Sequence, residues 1–101
     1  MKVYLISRHK GTIEYFKERI PDIEVIEHLD DINAIEDNST IYGNLPINLI
    51  EKLVNEKNCR FILVTLNVPK ELRGQELTKE QLEKYMELYE FVCLRLRKVE
   101  I

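Results

Sequence analysis

The hydrophobic residues of this chain fall into short blocks that alternate between the period of a buried strand and that of an amphipathic helix. Val3–Ile6 and Phe61–Leu66 are near-continuous apolar runs rich in β-forming residues, which is typical of strands covered on both faces. Ile23–Ile26 and Thr40–Tyr42 are shorter blocks that also predict strands. As the most apolar of the four, Phe61–Leu66 is expected at the centre of the sheet.

Between these blocks the apolar residues follow helical spacing. The first helix is predicted to open at Gly11-Thr12, with Glu14 in its first turn, and to stop at Pro21, because the residue before a proline avoids helical angles. The second is predicted to have Pro46 in its first turn and to end near Lys57. Each helix thus follows a strand, as in a parallel α/β sheet.

The last third of the chain predicts one more helix and one more strand. Thr78–Gln81 forms a capping box, in which the threonine hydroxyl and the glutamine amide satisfy backbone donors at a helix start. The helix is expected to carry Tyr85 and Tyr89 on one face, and an edge strand is expected from about Phe91, with Arg95 and Arg97 on its solvent side. The elements together predict an α/β fold, a small, Rossmann-like, mostly parallel sheet flanked by helices, formed by residues 1–101 as a single domain.

Composition and charge restrict the possible functions. Apolar residues make up 45% of the chain and charged residues 33%, as in a soluble globular protein. The formal charge of -3 argues against a protein that coats long nucleic acid, but allows a small anion held by a few local cations. The apolar run at the start ends at Ser7, too early for a signal peptide or a membrane span. Cys59 and Cys93 form no CxxC pair, so we expect reduced, partly buried thiols and a cytoplasmic protein.

Three segments are expected to meet at the carboxyl edge of the sheet, where ligands of open α/β sheets bind. They are Ser7–Gly11, Gly43–Pro46 and Leu66–Gly74. Each contains residues that core packing does not require, and a polar loop as long as the third is uncommon unless it covers something. The sequence therefore predicts a composite site at this edge.

The first segment has the side chains of a phosphate site. Arg8 offers a planar fork of donors, His9 can exchange a proton near neutral pH, and Ser7 adds a hydroxyl. Gly11 allows the backbone to approach a ligand, and the helix that starts there directs free N–H groups at it. Ordinary structural roles remain open for the other two segments, since Asn44 could be a helix cap and Arg73 could pair with Glu71 or Glu76.

No metal site is predicted. His28 is followed by Asp30 and Asp31, but no third ligand has a recognisable spacing, so we expect neither a metal nor a cofactor.

Three motifs stand in a defined order along the chain. They are Ser-Arg-His-x-Gly at 7–11, Gly-x-Leu-Pro at 43–46, and the Glu-Leu-Arg-Gly segment at 71–74, which lies within Leu-Asn-Val-Pro-Lys-Glu-Leu-Arg-Gly-Gln-Glu-Leu. In this order they resemble the short CRISPR-associated proteins of the Csx series, number sixteen, which accompany type III systems. The resemblance covers nearly the whole chain, with Lys10 standing where that family often has proline.

This resemblance implies a ring nuclease of the CARF-like kind. Such a protein acts as a homodimer, degrades the messenger cyclic tetra-adenylate and so switches off the antiviral response. The chemistry requires no metal, because the ribose 2′-OH of the ring can attack the adjacent phosphorus and leave a 2′,3′-cyclic phosphate. We expect catalytic roles for Ser7, Arg8 and His9. The residues expected to bind the ligand are Lys10, Gly11, Thr12, Gly43, Asn44, Pro46 and Arg73.

Three alternatives remain open at this point. A module that only sequesters the nucleotide would use the same cationic loop, with less need for His9. Histidine phosphatases carry Arg-His-Gly-x-Thr after a first strand, but Lys10 interrupts that motif here and the chain is too short for their fold. A small interaction domain without a ligand is the third alternative.

Overall fold

The structure, a computed structural model, describes all of residues 1–101 and contains one five-stranded sheet. The strands are β1 (Val3–Ile6), β2 (Glu24–Ile26), β3 (Thr40–Gly43), β4 (Arg60–Leu66) and β5 (Met86–Glu90). The helices are α1 (Lys10–Arg19), α2 (Ile47–Asn55) and α3 (Lys79–Tyr85), with single 3₁₀ turns at Ile32–Ala34 and Lys70–Leu72. None of these helices is long and apolar enough to cross a membrane.

The strands lie in the order β2-β1-β3-β4-β5, and all neighbouring pairs are parallel except β4 and β5. The α/β fold with a mostly parallel sheet and an edge strand is therefore confirmed. The strand β4 lies inside the sheet between β3 and β5, as expected of a central strand, and β3 occupies the middle position. After β1 the chain adds β2 on one side of that strand and then crosses back to add β3 on its other side. The strand order therefore reverses between β1 and β3.

Alternate residues of the strands build two separate apolar layers, because successive side chains point to opposite faces. Tyr4 and Ile6 of β1 join the larger layer, which packs under α2, whereas Leu5 joins a smaller layer with Phe16 of α1. Both faces of β1 are thus covered, as its continuous apolar run predicts. The larger layer consists of Tyr4, Ile6, Leu29, Ile35, Ile41, Ile50, Leu53, Cys59 and Phe61.

The starts of α1 and α2 differ slightly from the prediction. The backbone of His9 is extended and its carbonyl accepts a bond from the Ile13 N–H at 2.9 Å, so the helix already begins at Lys10. Glu14 consequently lies beyond the first turn, which contains no acidic residue. Pro46 is the residue that caps α2 rather than the first helical one, because its ψ of 139° is not helical.

The end of the chain departs most from the prediction. The capping box is confirmed, with Thr78 and Gln81 each bonding the other's backbone N–H, but α3 stops at Tyr85. The next five residues pair antiparallel with β4, from Leu66 opposite Met86 to Ile62 opposite Glu90. The outer edge of β4 needs hydrogen-bond partners, and the segment that follows α3 directly supplies them. Tyr85 and Tyr89 therefore do not share a helix face.

Residues 91–101, the tail, form no strand, contrary to the prediction, but Phe91 and Leu94 of this segment pack on the core. Phe91 lies edge-on to Phe61 with ring centres 6.0 Å apart, and Leu94 packs on the same apolar layer. The tail is tied to α2, where Asn55 Nδ2 donates to the Leu94 carbonyl at 2.9 Å and the Glu51 carboxylate accepts from the Leu96 N–H at 2.8 Å. Arg95 and Arg97 are exposed, as expected, but outside any strand.

The two cysteines are free and lie in different environments. Cys59 is buried, and this burial raises the pKa of its thiol, so the unreactive protonated form is favoured. Cys93 is exposed, so the prediction of partial burial is wrong for this residue, because the segment that carries it is not a packed strand.

Candidate functional site

A cavity of about 630 Å³ opens at the carboxyl edge of the sheet, beyond the ends of β1 and β3. The segments that follow β1 and β3 line it together, as the strand order predicts for ligand sites in open α/β sheets. The predicted site residues found on its wall are Ser7, Arg8, His9, Thr12, Gly43, Asn44 and Pro46. We call this space the first cavity.

A second cavity, of about 420 Å³, lies on the other side of His9. The start of α1 forms one wall, and the polar loop after β4 forms the opposite wall. Lys10, Gly11 and Arg73 line this space and not the first cavity. His9, Thr12 and Leu66 border both spaces, so all three predicted segments come together around one shared wall.

The segment between β1 and α1 is held by its own hydrogen bonds. The Ser7 N–H donates to the Ile26 carbonyl at 3.1 Å, which continues the pairing of β1 with β2. The Ser7 hydroxyl oxygen accepts the His9 N–H, also at 3.1 Å. These two bonds fix the backbone on both sides of Arg8, whereas the side chains of Arg8 and His9 are exposed beside the cavity.

The first turn of α1 presents backbone N–H groups to the site. No side chain caps this helix, and the first N–H that bonds within it belongs to Ile13. The N–H groups of Lys10, Gly11 and Thr12 are therefore left without helical acceptors, at the end where the helix dipole is positive. With no carboxylate in the first turn, this end favours an anion.

Gly43 sets the floor of the first cavity. Its φ is 149°, and a Cβ at this position would lie 2.7 Å from the Ile6 carbonyl oxygen and 3.0 Å from the Ile6 Cβ. Only glycine fits this approach between β1 and β3. Gly11 differs, because an added Cβ would make ordinary 3.5 Å contacts with the Leu77 carbonyl oxygen and with Leu82 Cδ1. A side chain at this position would therefore fit against the segment at the start of α3.

The cationic side chains around the shared wall form no ion pairs. Five lysines and arginines elsewhere lie within 4.0 Å of a carboxylate, whereas Arg8, Lys10 and Arg73 do not. The alternative that Arg73 is neutralised by Glu71 or Glu76 is therefore not observed. The paired residues are Lys2, Arg19, Lys57, Arg60 and Lys79.

The structure adds a fourth segment that the sequence analysis did not assign to the site. Glu27, His28 and Asp30 follow β2 and line the first cavity. The Nε2 atom of His28 lies 2.8 Å from Oδ1 of Asp30, and both side chains are largely exposed. The sequence contained a signal for this segment, because β2 also ends at the carboxyl edge of a parallel sheet.

In no part of the chain do three or more His, Cys, Asp or Glu side chains gather as metal ligands.

The fold and this site together define a small doubly wound α/β protein with a cavity at its strand switch point. Residues 4–93 match the sequence model of the family described as "Putative CRISPR-associated protein (Cas_VVA1548)", and the chain belongs to this family. Comparison with curated proteins and comparison with solved structures give no match.

Proposed function

We propose that this member of the CRISPR-associated family is a ring nuclease, similar to the Csx proteins of number sixteen, that binds and cleaves cyclic tetra-adenylate. Cleavage removes the messenger and switches off type III antiviral signalling. The observation that carries the proposal is the meeting of three separate segments, with Arg8, Lys10 and Arg73 free of ion pairs, around His9 and the uncapped start of α1. This arrangement suits a ligand that carries several phosphates.

The number of phosphates supports a dimeric arrangement. Cyclic tetra-adenylate carries four phosphates in a ring, more than Arg8, Lys10 and Arg73 of one chain would neutralise. Two copies related by a two-fold axis would offer twice that set to a ligand with matching symmetry. We place the homodimer in the cytoplasm, an assignment that the free thiols of Cys59 and Cys93 support.

The reaction we propose begins with the ribose 2′-OH. Its oxygen attacks the adjacent phosphorus, the bond to the 5′-oxygen breaks, and the product ends in a 2′,3′-cyclic phosphate. The protein must align the attacking oxygen, stabilise the added charge on the phosphorane and protonate the leaving oxygen. Arg8 and the N–H groups at the start of α1 suit the charge, and His9 suits the proton transfer.

Ser7 has a positioning role as well as the proposed contact with substrate. Its oxygen accepts the His9 N–H, so the hydroxyl holds the segment that carries the catalytic side chains. The hydroxyl proton remains available for the 2′-oxygen of the ring. Removing the hydroxyl should therefore affect both the geometry of the segment and the alignment of the substrate.

The decisive experiment incubates the purified protein with cyclic tetra-adenylate in the presence of EDTA. We expect linear products that end in cyclic phosphate, identified by mass spectrometry. A ring that stays intact but is bound would favour the sequestration alternative. A ring that is neither bound nor cut at high protein concentration would refute the proposal. Rings of other sizes, run in parallel, would measure the preference for four nucleotides.

A further inference from the structure

Both histidines of the chain line the first cavity, although they are nineteen positions apart. His9 follows β1 and His28 follows β2, and these two strands are parallel neighbours with Ile6 opposite Ile26. The residues after Ile6 and Ile26 therefore leave the sheet side by side, at the spacing of adjacent strands, which is about 4.8 Å. The register of the sheet brings two proton-transferring side chains to one space.

The position of Asp30 determines which nitrogen of His28 can accept a proton. Nε2 lies 2.8 Å from the carboxylate oxygen Oδ1 of Asp30, so a proton on Nε2 is stabilised there. In the neutral ring the lone pair is then on Nδ1, which can accept a proton. A carboxylate that orients a histidine in this way stabilises the imidazolium formed when the proton arrives.

We propose that His28, oriented by Asp30, is the general base that accepts the 2′-OH proton, and that His9 is the general acid. The inference rests on the proposed function and names a catalytic residue that the resemblance does not supply. The two proton transfers are thus divided between two side chains. This division is needed because the 2′-oxygen attacks on one side of phosphorus and the 5′-oxygen leaves on the other.

The proton balance of the step is complete. The 2′-OH gives its proton to Nδ1 of neutral His28 while its oxygen forms the new bond to phosphorus. As the bond to the 5′-oxygen breaks, protonated His9 gives a proton to that oxygen. His28 ends protonated and His9 neutral, and exchange with water returns both to their starting states because both are exposed.

The charges around the first cavity support this division. The charged or titratable side chains on its wall, besides the two histidines, are Arg8, Glu27 and Asp30. Arg8 is adjacent to His9 in the segment proposed to hold phosphate, whereas both carboxylates belong to the segment of His28. Base catalysis by His28 thus places the new positive charge beside the carboxylates and leaves the phosphate beside Arg8.

The first test measures the pH dependence of kcat for cleavage of cyclic tetra-adenylate in EDTA. The wild type should give a bell-shaped profile. His28→Ala should lower kcat by about 10²–10⁴-fold, change KM little and lose the ascending limb of the profile. His9→Ala should lose the descending limb instead. Asp30→Asn should lower kcat by about tenfold or more. The control Asp22→Asn alters an exposed carboxylate at the opposite edge of the sheet and should behave as wild type.

A substrate with sulfur in place of one 5′-bridging oxygen separates the two roles. Sulfur leaves without being protonated, so this ring should restore cleavage by His9→Ala and not by His28→Ala. If His28→Ala cleaves the ordinary ring at the wild-type rate, or if sulfur rescues it, the role of His28 is refuted while the ring nuclease proposal stands. If the wild type does not cleave the ring at all, both proposals fail.

Discussion

The two ends of the sheet contain similar polar residues but use them differently. At the amino ends of the strands the polar side chains are paired: Lys2 with Glu24 at 2.6 Å, Lys57 with Asp37 at 2.8 Å, and Asn58 with Asn38 at 2.8 Å. At the carboxyl ends, Arg8, Lys10 and Arg73 have no such partners. The amino end pairs these polar groups within the protein, and the carboxyl end leaves three cations available to a ligand.

The difference shows why total charge is a poor guide to function in this chain. Exposed ion pairs contribute little to stability, so leaving three cations unpaired costs the fold little. The same three cations are worth far more to an anion held beside an uncapped helix start. A protein with a formal charge of -3 thus keeps three cations free of ion pairs where its strands end.

The largest effect that would test this comparison is expected from two arginines, one at each end of the sheet. Arg8→Ala should lower kcat/KM for cyclic tetra-adenylate by about 10²–10³-fold and weaken binding, because a charge-stabilising donor is lost. Arg60→Ala, which removes a cation paired with Glu90 at 2.8 Å, should leave both quantities unchanged. Steady-state kinetics and calorimetric titration measure the two. Equal losses in both variants would contradict the comparison.

The next effect concerns the floor of the first cavity. Gly43→Ala should destabilise the protein by roughly 1–3 kcal/mol, because the new Cβ meets the Ile6 carbonyl and the backbone is in a region that favours glycine. Gly11→Ala adds the same methyl group at a position where it would make only ordinary van der Waals contacts. The melting temperature of this variant should therefore be close to that of the wild type. Denaturant unfolding compares the two. A Gly43→Ala variant as stable as Gly11→Ala would refute the close approach of Gly43 to Ile6.

A smaller effect is expected at the amino end. Asn58 has a φ of 53° and donates to Asn38 at 2.8 Å. Asn58→Ala should cost about 1–2 kcal/mol because alanine disfavours this backbone conformation, and Asn58→Gly should cost less, because glycine adopts it freely. Both variants should cleave the ring at the wild-type rate under conditions where they are folded. A loss of activity without a loss of stability would contradict the division between the two ends.

The smallest effect is the response of stability to acid. The hydrogen bond from Arg60 lowers the pKa of Glu90, and that from Lys79 lowers the pKa of Glu18, both below the ordinary 4.5. Their contribution to stability is therefore present above the pKa of the unfolded chain and is lost as the pH falls through the lower folded values. Between about pH 5 and pH 3, the melting temperature of the double variant Glu18→Gln/Glu90→Gln should fall by less than that of the wild type. An identical loss would show that these pairs contribute nothing.

Much of the fold could be predicted from the sequence because local patterns and global architecture agree. The apolar runs of β1 and β4, the stop at Pro21 and the capping box at Thr78 each depend on a few adjacent residues. Met86–Glu90 was predicted wrongly because its residues fit helical and extended spacing equally well. The free edge of β4, a tertiary feature, decides between the two.

The candidate site was predicted in part for a similar reason. The rule that loops meet at the carboxyl edge identified three segments correctly as neighbours. The same rule also places the segment after β2 at this edge, whereas the spacing of His28 and Asp30 along the chain indicates only an incomplete metal site. That Arg73 stands apart from Glu71 and Glu76, and that Lys10 faces a different cavity from Ser7, depends on side-chain placement that spacing along the chain does not encode.

The attachment of the tail has a consequence for how the chain folds during synthesis. Phe91 and Leu94 complete the apolar layer that contains Phe61, and Leu96 is bonded to α2. None of these contacts can form until residues 91–96 have left the exit tunnel of the ribosome. The helix α2, which begins beside the first cavity, is therefore among the last elements to be secured. A newly made chain should complete its site only after residues 91–96 have emerged.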